Sequence, residues 1–158
     1  SGAKMTKAKL EKVDLTQADL SGANLTGADL SAANLEGADL SRANLTEAIL
    51  TDANLKNTFL TGANIQKATM NKANLEGADM AGVKLRNANL KNANLKNVDL
   101  RRADLEHADF SKANLNSTNF TGAKMGDGLF IDSDMTGTTM DSADTTDAQF
   151  TGAIGLKS

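Results

Sequence analysis

The sequence lacks several residues on which common folds and sites depend. Among its 158 residues there is no cysteine, proline, tryptophan or tyrosine, and phenylalanine occurs only five times. Without cysteine the chain forms neither disulfides nor thiolate metal sites. With 3% aromatic residues, its core must be filled without the large rings that usually dominate buried area. The apolar residues, 40% of the chain, therefore need a compact or repetitive architecture.

The charge balance and the lack of long apolar runs exclude further classes. The chain has 17 basic and 20 acidic residues, with a net charge of -3, which argues against direct nucleic-acid binding through an extended basic surface. No apolar run approaches the roughly 18 residues that indicate a membrane span, and no secretory signal is visible. Because the first residue is Ser1 rather than Met, the sequence leaves open that a leader or further repeats precede it.

A five-residue period runs through almost the whole chain. In steps of five from Met5 to Phe150, 29 of 30 residues are Leu, Ile, Met or Phe, and only Thr145 departs. Two residues before these central positions, Ala fills 23 of 31 places from Ala3 to Ala153. Asp or Asn lies between the two in 20 of 31 places, and ten of the 13 glycines occupy the second residue after the central one. A repeat this dominant defines the architecture.

Neither a helix nor a flat sheet accommodates this period. Five residues of α-helix turn through about 500°, so the central residues would scatter around the axis. In a flat strand the odd spacing would send successive central residues to opposite faces. Both the alanine and the central residue face inward only if the chain turns a corner after each unit. The pattern predicts an all-β spiral with glycine at its corners and Asp or Asn side chains bonded to the turn backbone.

These units resemble a known family. Runs such as Ala18-Asp19-Leu20-Ser21-Gly22 match the pattern Ala-(Asp/Asn)-Leu-X-X of the pentapeptide-repeat family, and the resemblance covers residues 3–153. It implies the family's fold, a right-handed quadrilateral β-helix with four units per coil. The chain would then form about seven and a half coils and a rod about 36 Å long at strand spacing.

We expect one β-helix domain over residues 1–153 and a short closing tail over residues 154–158. The register fails after Ala153, and Ile154 or Leu156 is expected to fold over the last coil. No capping pattern precedes Met5, which leaves two interpretations open. Either the chain is part of a longer array, or Met5 and Leu10 lie at an exposed end, which would favour end-to-end homodimers.

The least regular stretch is Gly126 to Asp132. Leu129 and Ile131 occupy positions that should face outward, while Gly128 replaces the usual alanine. From Phe110 onward the central residues are mostly Phe or Met, which compensate for the smaller neighbours. We expect a distorted or widened coil here.

The sequence predicts no enzyme and no cofactor or metal site. The single histidine, His107, lies at a corner position among Asp104, Glu106 and Asp109 and lacks the positioned partner that a general base needs. The chain has no nucleophile elbow and no phosphate-binding loop. Three carboxylates could suggest calcium ligands, but their spacing matches no calcium loop; they are Asp127, Asp132 and Asp134.

Charged and apolar residues at outward positions are the remaining signals. The middle of the chain is basic and its last quarter, from Met125 to Leu156, has no Lys or Arg. Exposed apolar side chains mark candidate partner surfaces. At 20 residues per coil, Ile49 and Leu129 share a side four coils apart, and Phe59 lies on an adjoining or opposite side. The candidate interaction surface comprises Ile49, Phe59, Leu129 and Ile131.

Two functions are compatible with the sequence. The first is a non-enzymatic scaffold or protein-interaction module with a protein partner. The second is implied by the resemblance, because some bacterial members of the family protect DNA gyrase by imitating duplex DNA and thereby confer quinolone resistance. The bases of residues 84–102 disfavour such mimicry. Relatives occur in cyanobacteria and chloroplasts, and we favour a soluble cytoplasmic location over the thylakoid lumen or periplasm.

Overall fold

The backbone forms a solenoid whose coils each contain four five-residue units. The computed structural model describes residues 1–156. Within them, pairing consists of isolated parallel bridges rather than helices or longer strands, and bridged residues are 20 positions apart. The bridges form four ladders, one for each unit of the coil. Ladder 1 runs from Lys4 to Asp144, ladder 2 from Lys9 to Gln149, ladder 3 from Asp14 to Ile154 and ladder 4 from Asp19 to Thr139.

Each unit has five positions, which we name small, bridge, central, first turn and second turn in chain order. In units of the inner coils with Asp or Asn at the bridge position, every backbone amide finds an acceptor. Two of the five bonds lie within the unit or the preceding turn, and three join neighbouring coils. In the unit Ala23–Gly27 the five amides donate, in order, to Leu20 O (3.0 Å), Ala3 O (2.8 Å), Asn44 O (2.7 Å), Asn24 Oδ1 (3.1 Å) and Thr46 O (2.9 Å).

The predicted role of Asp and Asn in the turns is confirmed. All 20 of these bridge residues accept a hydrogen bond from the first-turn amide two residues later. This is the one amide of the unit that the backbone leaves unpaired. An Asp or Asn side chain is the right length to form such a bond with its own turn, which explains the composition of the bridge position.

The corners impose a left-handed backbone on every second-turn residue, whether or not it is glycine. Positive φ angles occur at 21 non-glycine corners, including Ala32 (55°) and Lys72 (61°), and at ten glycine corners. This region costs an ordinary residue roughly 1–2 kcal/mol. Two inter-coil bonds flank each such corner in the inner coils, where the ladders hold the chain in this conformation against the local preference. Glycine is therefore favourable at the corners but not required there.

The core consists of the small and central positions, as the period predicts. From Leu20 to Met135, their exposed fractions lie between 0% and 6%. The three buried polar residues are satisfied by carbonyls: Thr58 Oγ1 donates to Leu55 O (2.7 Å), Thr118 Oγ1 to Leu95 O (2.7 Å) and Ser133 Oγ to Phe130 O (2.8 Å). This interior leaves all of the chemistry to the outward positions.

The prediction of a distorted coil at Gly126 to Asp132 is wrong. Leu129 pairs with Asp109 and Gln149 like any other bridge residue, and the turn bond from Gly128 N to Met125 O is 3.0 Å. The reason is a compensation inside the coil. A Cβ at Gly128 would lie 2.9 Å from the Phe130 ring, so the missing side chain makes room for the aromatic one.

Phenylalanine rings continue from this point along the interior of ladder 2. The rings of Phe110 and Phe130 stack at 5.1 Å, as do those of Phe130 and Phe150, and Phe120 meets Phe130 edge-on at 6.1 Å. Offset or edge-on aromatic pairs of this kind contribute beyond their buried area. The 20-residue spacing of three of these rings reflects the coil length.

Ladder 3 continues to Ile154, one residue past the predicted domain boundary. Ile154 pairs with Asp134, and its side chain is 59% exposed. Leu156 is also exposed. Contrary to the expectation, neither residue folds over the last coil; the rest of the predicted tail, residues 157–158, lies outside the described residues. No helix in the described part of the chain has the length and apolarity needed to cross a membrane.

Candidate interaction surface

The four predicted surface residues do not form one surface. Ile49 and Leu129 belong to ladder 2, four coils apart, and Ile131 follows Leu129 at a first-turn position. Phe59 belongs to ladder 4, half a coil away in the chain. Ile49 is 39% exposed and Phe59 51% exposed, whereas Leu129 and Ile131 are half-buried. Phe59 is therefore the strongest of the four candidates.

Phe59 lies within a column of carboxylates. Its bridge partners in the neighbouring coils are Asp39 and Asp79, and the column continues outward to Asp19 and Asp99. Coils paired through parallel bridges are about 4.8 Å apart. The exposed ring thus has a carboxylate about one coil spacing away on each side.

The backbone fixes the position of this ring. Phe59 N donates to Ala38 O (3.0 Å), and Leu40 N donates to Phe59 O (2.7 Å). Phe59 takes the place of an Asp or Asn at the bridge position, so the turn bond that would satisfy the amide of Thr61 is missing. In this unit the chain has an exposed aromatic ring where most units have a residue that completes the turn.

The flanking carboxylates are also held in place, and each keeps one oxygen available. Asp39 Oδ1 accepts from Ser41 N at 2.9 Å, and Asp79 Oδ1 accepts from Ala81 N at 3.2 Å. Among the described residues, neither Oδ2 atom has a hydrogen-bond partner. The two free oxygens therefore belong to carboxylates that need not reorganise to meet a ligand.

The next acidic residue of the column is already neutralised. Arg101 Nη2 lies 2.6 Å from Asp99 Oδ2, and this hydrogen-bonded guanidinium lowers the pKa of Asp99 below its usual value. At the other end, the hydroxyl and amide of Ser21, together with the amino terminus, lower the pKa of Asp19. Asp39 and Asp79 differ from both because no cation is bonded to them in the described chain.

Several of the corners near Phe59 are glycines. The corners nearest to it include Gly37, Gly62, Gly77 and Gly82, all at positive φ. At Gly77 an added Cβ would lie only 2.4 Å from the Asn57 side chain, which overlies it. These corners contribute no side chains of their own beside the ring, which is 51% exposed.

One cation lies near the ring. Arg42 occupies the corner of the preceding coil, and its Cγ is 3.9 Å from the place where a Cβ of Gly62 would be. With Ser41 and Thr61 it helps to line a shallow depression of about 480 Å³ along the corner that follows ladder 4. The charged groups near Phe59 thus include the two carboxylates and the Arg42 guanidinium, and Arg101 interacts electrostatically with Asp79.

The single histidine does not acquire a catalytic arrangement. His107 Nδ1 is 3.8 Å from Asp127 Oδ2, and both side chains are more than half exposed. Its acidic neighbours are engaged elsewhere, because Arg86 binds Asp104 at 2.6 Å and Glu106 at 2.7 Å.

Asp109, the third acid near His107, is paired as well. Its Oδ2 atom is 3.2 Å from Lys91 Nζ. Partial burial raises the pKa of Asp109, but hydrogen bonds from Ser111 and Lys91 outweigh burial and lower it overall. The carboxylates around His107 therefore stabilise contacts between coils.

The three carboxylates that were weighed as calcium ligands lie apart. Asp127 and Asp132 lie at two different corners, and Asp134 lies on ladder 3. Over residues 1–156, no three acidic or histidine side chains gather closely enough to hold a metal ion.

The basic middle of the sequence forms a ring around one coil rather than a patch. Its cations are spread over all four ladders and the corner after ladder 4. Several bind acids in the same or the next coil, as Arg86 and Arg101 do. The ring comprises Lys84, Arg86, Lys91, Lys96, Arg101 and Arg102.

Sequence reasoning identified Phe59 but missed its carboxylate neighbours. The signal was present in the spacing, since Asp39, Phe59 and Asp79 are 20 residues apart and so occupy one column. Writing the sequence in rows of 20 would have placed the three residues together. The free oxygens and the unpaired turn amide, in contrast, required the structure.

Comparison with known families gives an extensive match. The sequence profile described as pentapeptide repeats matches in eight copies, over residues 1–22, 23–62, 60–97 and 88–127. No match is found among curated protein sequences. The family matched by the profile indicates no enzyme.

Solved structures of similar proteins include cyanobacterial ones. HetL, a pentapeptide repeat protein involved in heterocyst differentiation regulation in Nostoc sp. strain PCC 7120, gives a TM-score of 0.82 at 28% identity, covering 100% of this chain and 82% of HetL. Rfr23 from Cyanothece 51142 gives 0.57 at 26% identity, covering 59% of this chain and 64% of Rfr23.

A third similar structure comes from a resistance protein. Trypsin-treated QnrB1, a plasmid-mediated fluoroquinolone resistance protein, gives a TM-score of 0.69 at 23% identity, covering 99% of this chain and 82% of that one. At this identity the similarity concerns the fold alone.

Proposed function

The chain belongs to the pentapeptide-repeat family, and on that premise we propose that it is a non-enzymatic scaffold that binds a protein partner. One observation carries the proposal. At Phe59 an aromatic residue replaces the Asp or Asn that completes the turn in most units. This residue is 51% exposed. This exchange lowers the stability of the fold, and exposed aromatic residues are frequent anchors of protein interfaces.

Two further observations support binding rather than catalysis. The positions that define the repeat are occupied by the core and by the turn bonds, so they have no remaining chemistry to offer a substrate. HetL, which is 28% identical, is described as involved in the regulation of differentiation. A regulatory role for this chain through protein contacts is consistent with that description.

The finer geometry is part of the proposal. We infer a right-handed helix of quadrilateral cross-section with about seven and a half coils. The four ladders and the 20-residue spacing of their bridges support it. In this geometry ladders 2 and 4 are opposite sides, so Ile49 and Phe59 would contact different partners or different parts of one partner.

Capture of a partner tests the proposal. The immobilised protein and its Phe59→Asn and Ile49→Asn variants are incubated with an extract of the source organism, and retained proteins are identified and bound again in purified form. Asn restores the turn bond at either position, so the fold is preserved. We expect a protein retained by the wild type and by the Ile49 variant but lost from the Phe59 variant. If no protein depends on either residue, the proposal is wrong.

The alternative is a DNA-mimicking protector of DNA gyrase. It is favoured by the acidic column on ladder 4. It is disfavoured by the cations of residues 84–102, which encircle one coil. A gyrase supercoiling assay with a quinolone separates the two functions. Protection at stoichiometric amounts of this protein would establish the alternative, and no protection at tenfold excess would exclude it.

A further inference from the structure

The surface around Phe59 has the chemistry of a receptor for one particular side chain. It combines an exposed aromatic face, 51% accessible, with a carboxylate on each side in the same column. An aromatic face attracts cations through its quadrupole, and carboxylates bind cations through charge-assisted hydrogen bonds. Building on the proposed function, we propose that Phe59, Asp39 and Asp79 bind an arginine side chain presented by the partner protein.

The spacing favours arginine over other cations. A guanidinium that stacks on the Phe59 ring would lie about one coil spacing, or about 4.8 Å, from each carboxylate column position. Its planar group has donors on opposite edges, so it can reach the free Oδ2 atoms of Asp39 and Asp79 at the same time. Lysine has a compact ammonium without opposed edges. An uncharged side chain would gain neither interaction fully.

The site is preorganised for this ligand. Turn bonds at 2.9 Å and 3.2 Å hold the two carboxylates through their Oδ1 atoms, and two bonds to the preceding coil hold the backbone N–H and C=O of Phe59. Little side-chain freedom is lost on binding, which reduces the entropic cost.

The neighbouring cations are consistent with the proposal, and one of them provides an additional test of it. Arg101 is bound to Asp99 at 2.6 Å; it also interacts electrostatically with Asp79 but forms no hydrogen bond to it in the described chain. Arg42 forms no ion pair in the described chain, and its stem leans toward Gly62 beside the ring. Its guanidinium opposes an incoming cation, and its removal should therefore strengthen binding.

The surface also selects the class of partner. Carboxylates at this spacing repel the phosphates of nucleic acids and of anionic lipid headgroups. The glycine corners near the ring contribute no side chains of their own that would block a loop or strand of a protein. An exposed arginine on a protein segment is the occupant that satisfies the ring and both carboxylates.

The test is an NMR titration of the full chain with three blocked tripeptides, each Gly-X-Gly, in which X is arginine, lysine or citrulline. Citrulline has the shape of arginine without its charge. Labelled phenylalanine reports on the Phe59 ring, and the backbone amides of Leu60 and Thr61 report on variants that lack it. We expect saturable shifts with the arginine peptide, weaker binding of the lysine peptide and no binding of the citrulline peptide.

Matched variants locate the binding. Asp39→Asn and Asp79→Asn retain the turn bond and remove one charge, and each should weaken the arginine peptide about two- to fivefold. Phe59→Leu keeps an apolar side chain without a ring and should weaken it to a similar extent. Asp19→Asn removes the same charge two coils away and should change the affinity little. Arg42→Gln should tighten binding.

Several outcomes would overturn the inference. Equal weakening by the Asp19 and Asp39 variants would reduce the effect to net charge. Unchanged affinity in Phe59→Leu would show that the ring has no role. Equal binding of the arginine and citrulline peptides would show that the charge has no role. The proposed function is tested separately, because a partner captured through Phe59 without arginine selectivity would sustain it while contradicting this inference.

Discussion

Ladders 3 and 4 are built from the same unit, yet their outward residues are satisfied in different ways. On ladder 3, five successive bridge residues are asparagine, and two pairs of them bond through their side-chain amides. Asn54 Nδ2 donates to Asn34 Oδ1 at 3.0 Å, and Asn94 Nδ2 donates to Asn74 Oδ1 at 3.1 Å. The first-turn residues beside them alternate in charge: Glu36, Lys56, Glu76 and Lys96.

Ladder 4 has the opposite character. The first five residues of its bridge column are four aspartates and Phe59, and the two aspartates next to the ring keep a free oxygen. Ladder 3 therefore uses its polar groups to bind successive coils, whereas ladder 4 directs them outward. The difference is that ladder 3 has amide bonds between coils, whereas ladder 4 has carboxylate oxygens without a partner in the described chain.

The largest expected effect separates the inward and outward residues of ladder 4 itself. Leu60 is fully buried, whereas the adjacent Phe59 is 51% exposed. We expect Leu60→Ala to lower the free energy of unfolding by about 2–5 kcal/mol, and Phe59→Ala to lower it by less than about 1 kcal/mol. Denaturant unfolding followed by circular dichroism measures both. A Phe59 variant as costly as the Leu60 variant would show that the ring belongs to the fold.

The next effect distinguishes the two bridge columns. Asn74 Oδ1 accepts from Glu76 N at 3.2 Å and from Asn94 Nδ2 at 3.1 Å, whereas Asp79 accepts from Ala81 N alone. At about 0.5–1.5 kcal/mol per hydrogen bond, Asn74→Ala should cost about twice as much as Asp79→Ala.

Asp79→Asn is the control for that pair, because it keeps the turn bond and should be nearly neutral. Unfolding free energies of the three variants under identical conditions decide the comparison. Equal costs for Asn74→Ala and Asp79→Ala would mean that the amide ladder on ladder 3 contributes nothing between coils.

The sequence predicted most of the fold because its determinants are periodic. The small and central residues follow from a period of five, and the turn role of Asp and Asn follows from their chemistry. The left-handed corners at residues such as Ala32 and Lys72 did not follow. Their local preference is for other angles, and the bonds between coils override that preference.

The candidate site was predicted only in part for a related reason. Phe59 breaks the local pattern and is visible in a single unit. Its contacts with Asp39 and Asp79 arise between units 20 residues apart, so the coil length had to be applied to the outward residues as well. The compensation between Gly128 and the Phe130 ring likewise depends on packing inside a coil, and a scan for irregular units mistook it for a distortion.

A smaller effect tests the stability that is lost because Phe59 cannot accept the turn bond. Restoring a turn acceptor there should stabilise the chain relative to a residue without one. We expect Phe59→Asn to be more stable than Phe59→Ala by about 1 kcal/mol, because the Asn side chain can accept from Thr61 N.

The same substitutions at Ile49 provide the control for this prediction on ladder 2. Ile49→Asn should exceed Ile49→Ala by a similar amount, since the amide of Thr51 also lacks a bridge-residue acceptor. Thermal unfolding of the four variants measures both differences. Asn and Ala variants of equal stability at both positions would show that the turn bond has no net value.

The smallest effect concerns pH, because the asparagines of ladder 3 do not titrate and the aspartates of ladder 4 do. The Arg101 guanidinium lowers the pKa of Asp99 below its ordinary value of 3.8. A carboxylate with a lowered folded-state pKa adds stability above its unfolded pKa and loses it as the pH falls through the folded value. Since Arg101 is 57% exposed, solvent screens the pair, and we expect about 0.2–1 kcal/mol.

Asp99→Asn keeps the turn acceptor and removes the charge. It should be slightly less stable than the wild type at pH 7, and the difference should shrink as the pH falls from 3.8 toward the lowered folded-state pKa, because the unfolded carboxylate takes up its proton first. Urea unfolding at pH 7, 3 and 2 measures it, and 1 M salt at pH 7 should reduce it by screening. A difference that stays constant into acid would show that Arg101 gives Asp99 no stability beyond the turn bond that ladder 3 obtains from asparagine.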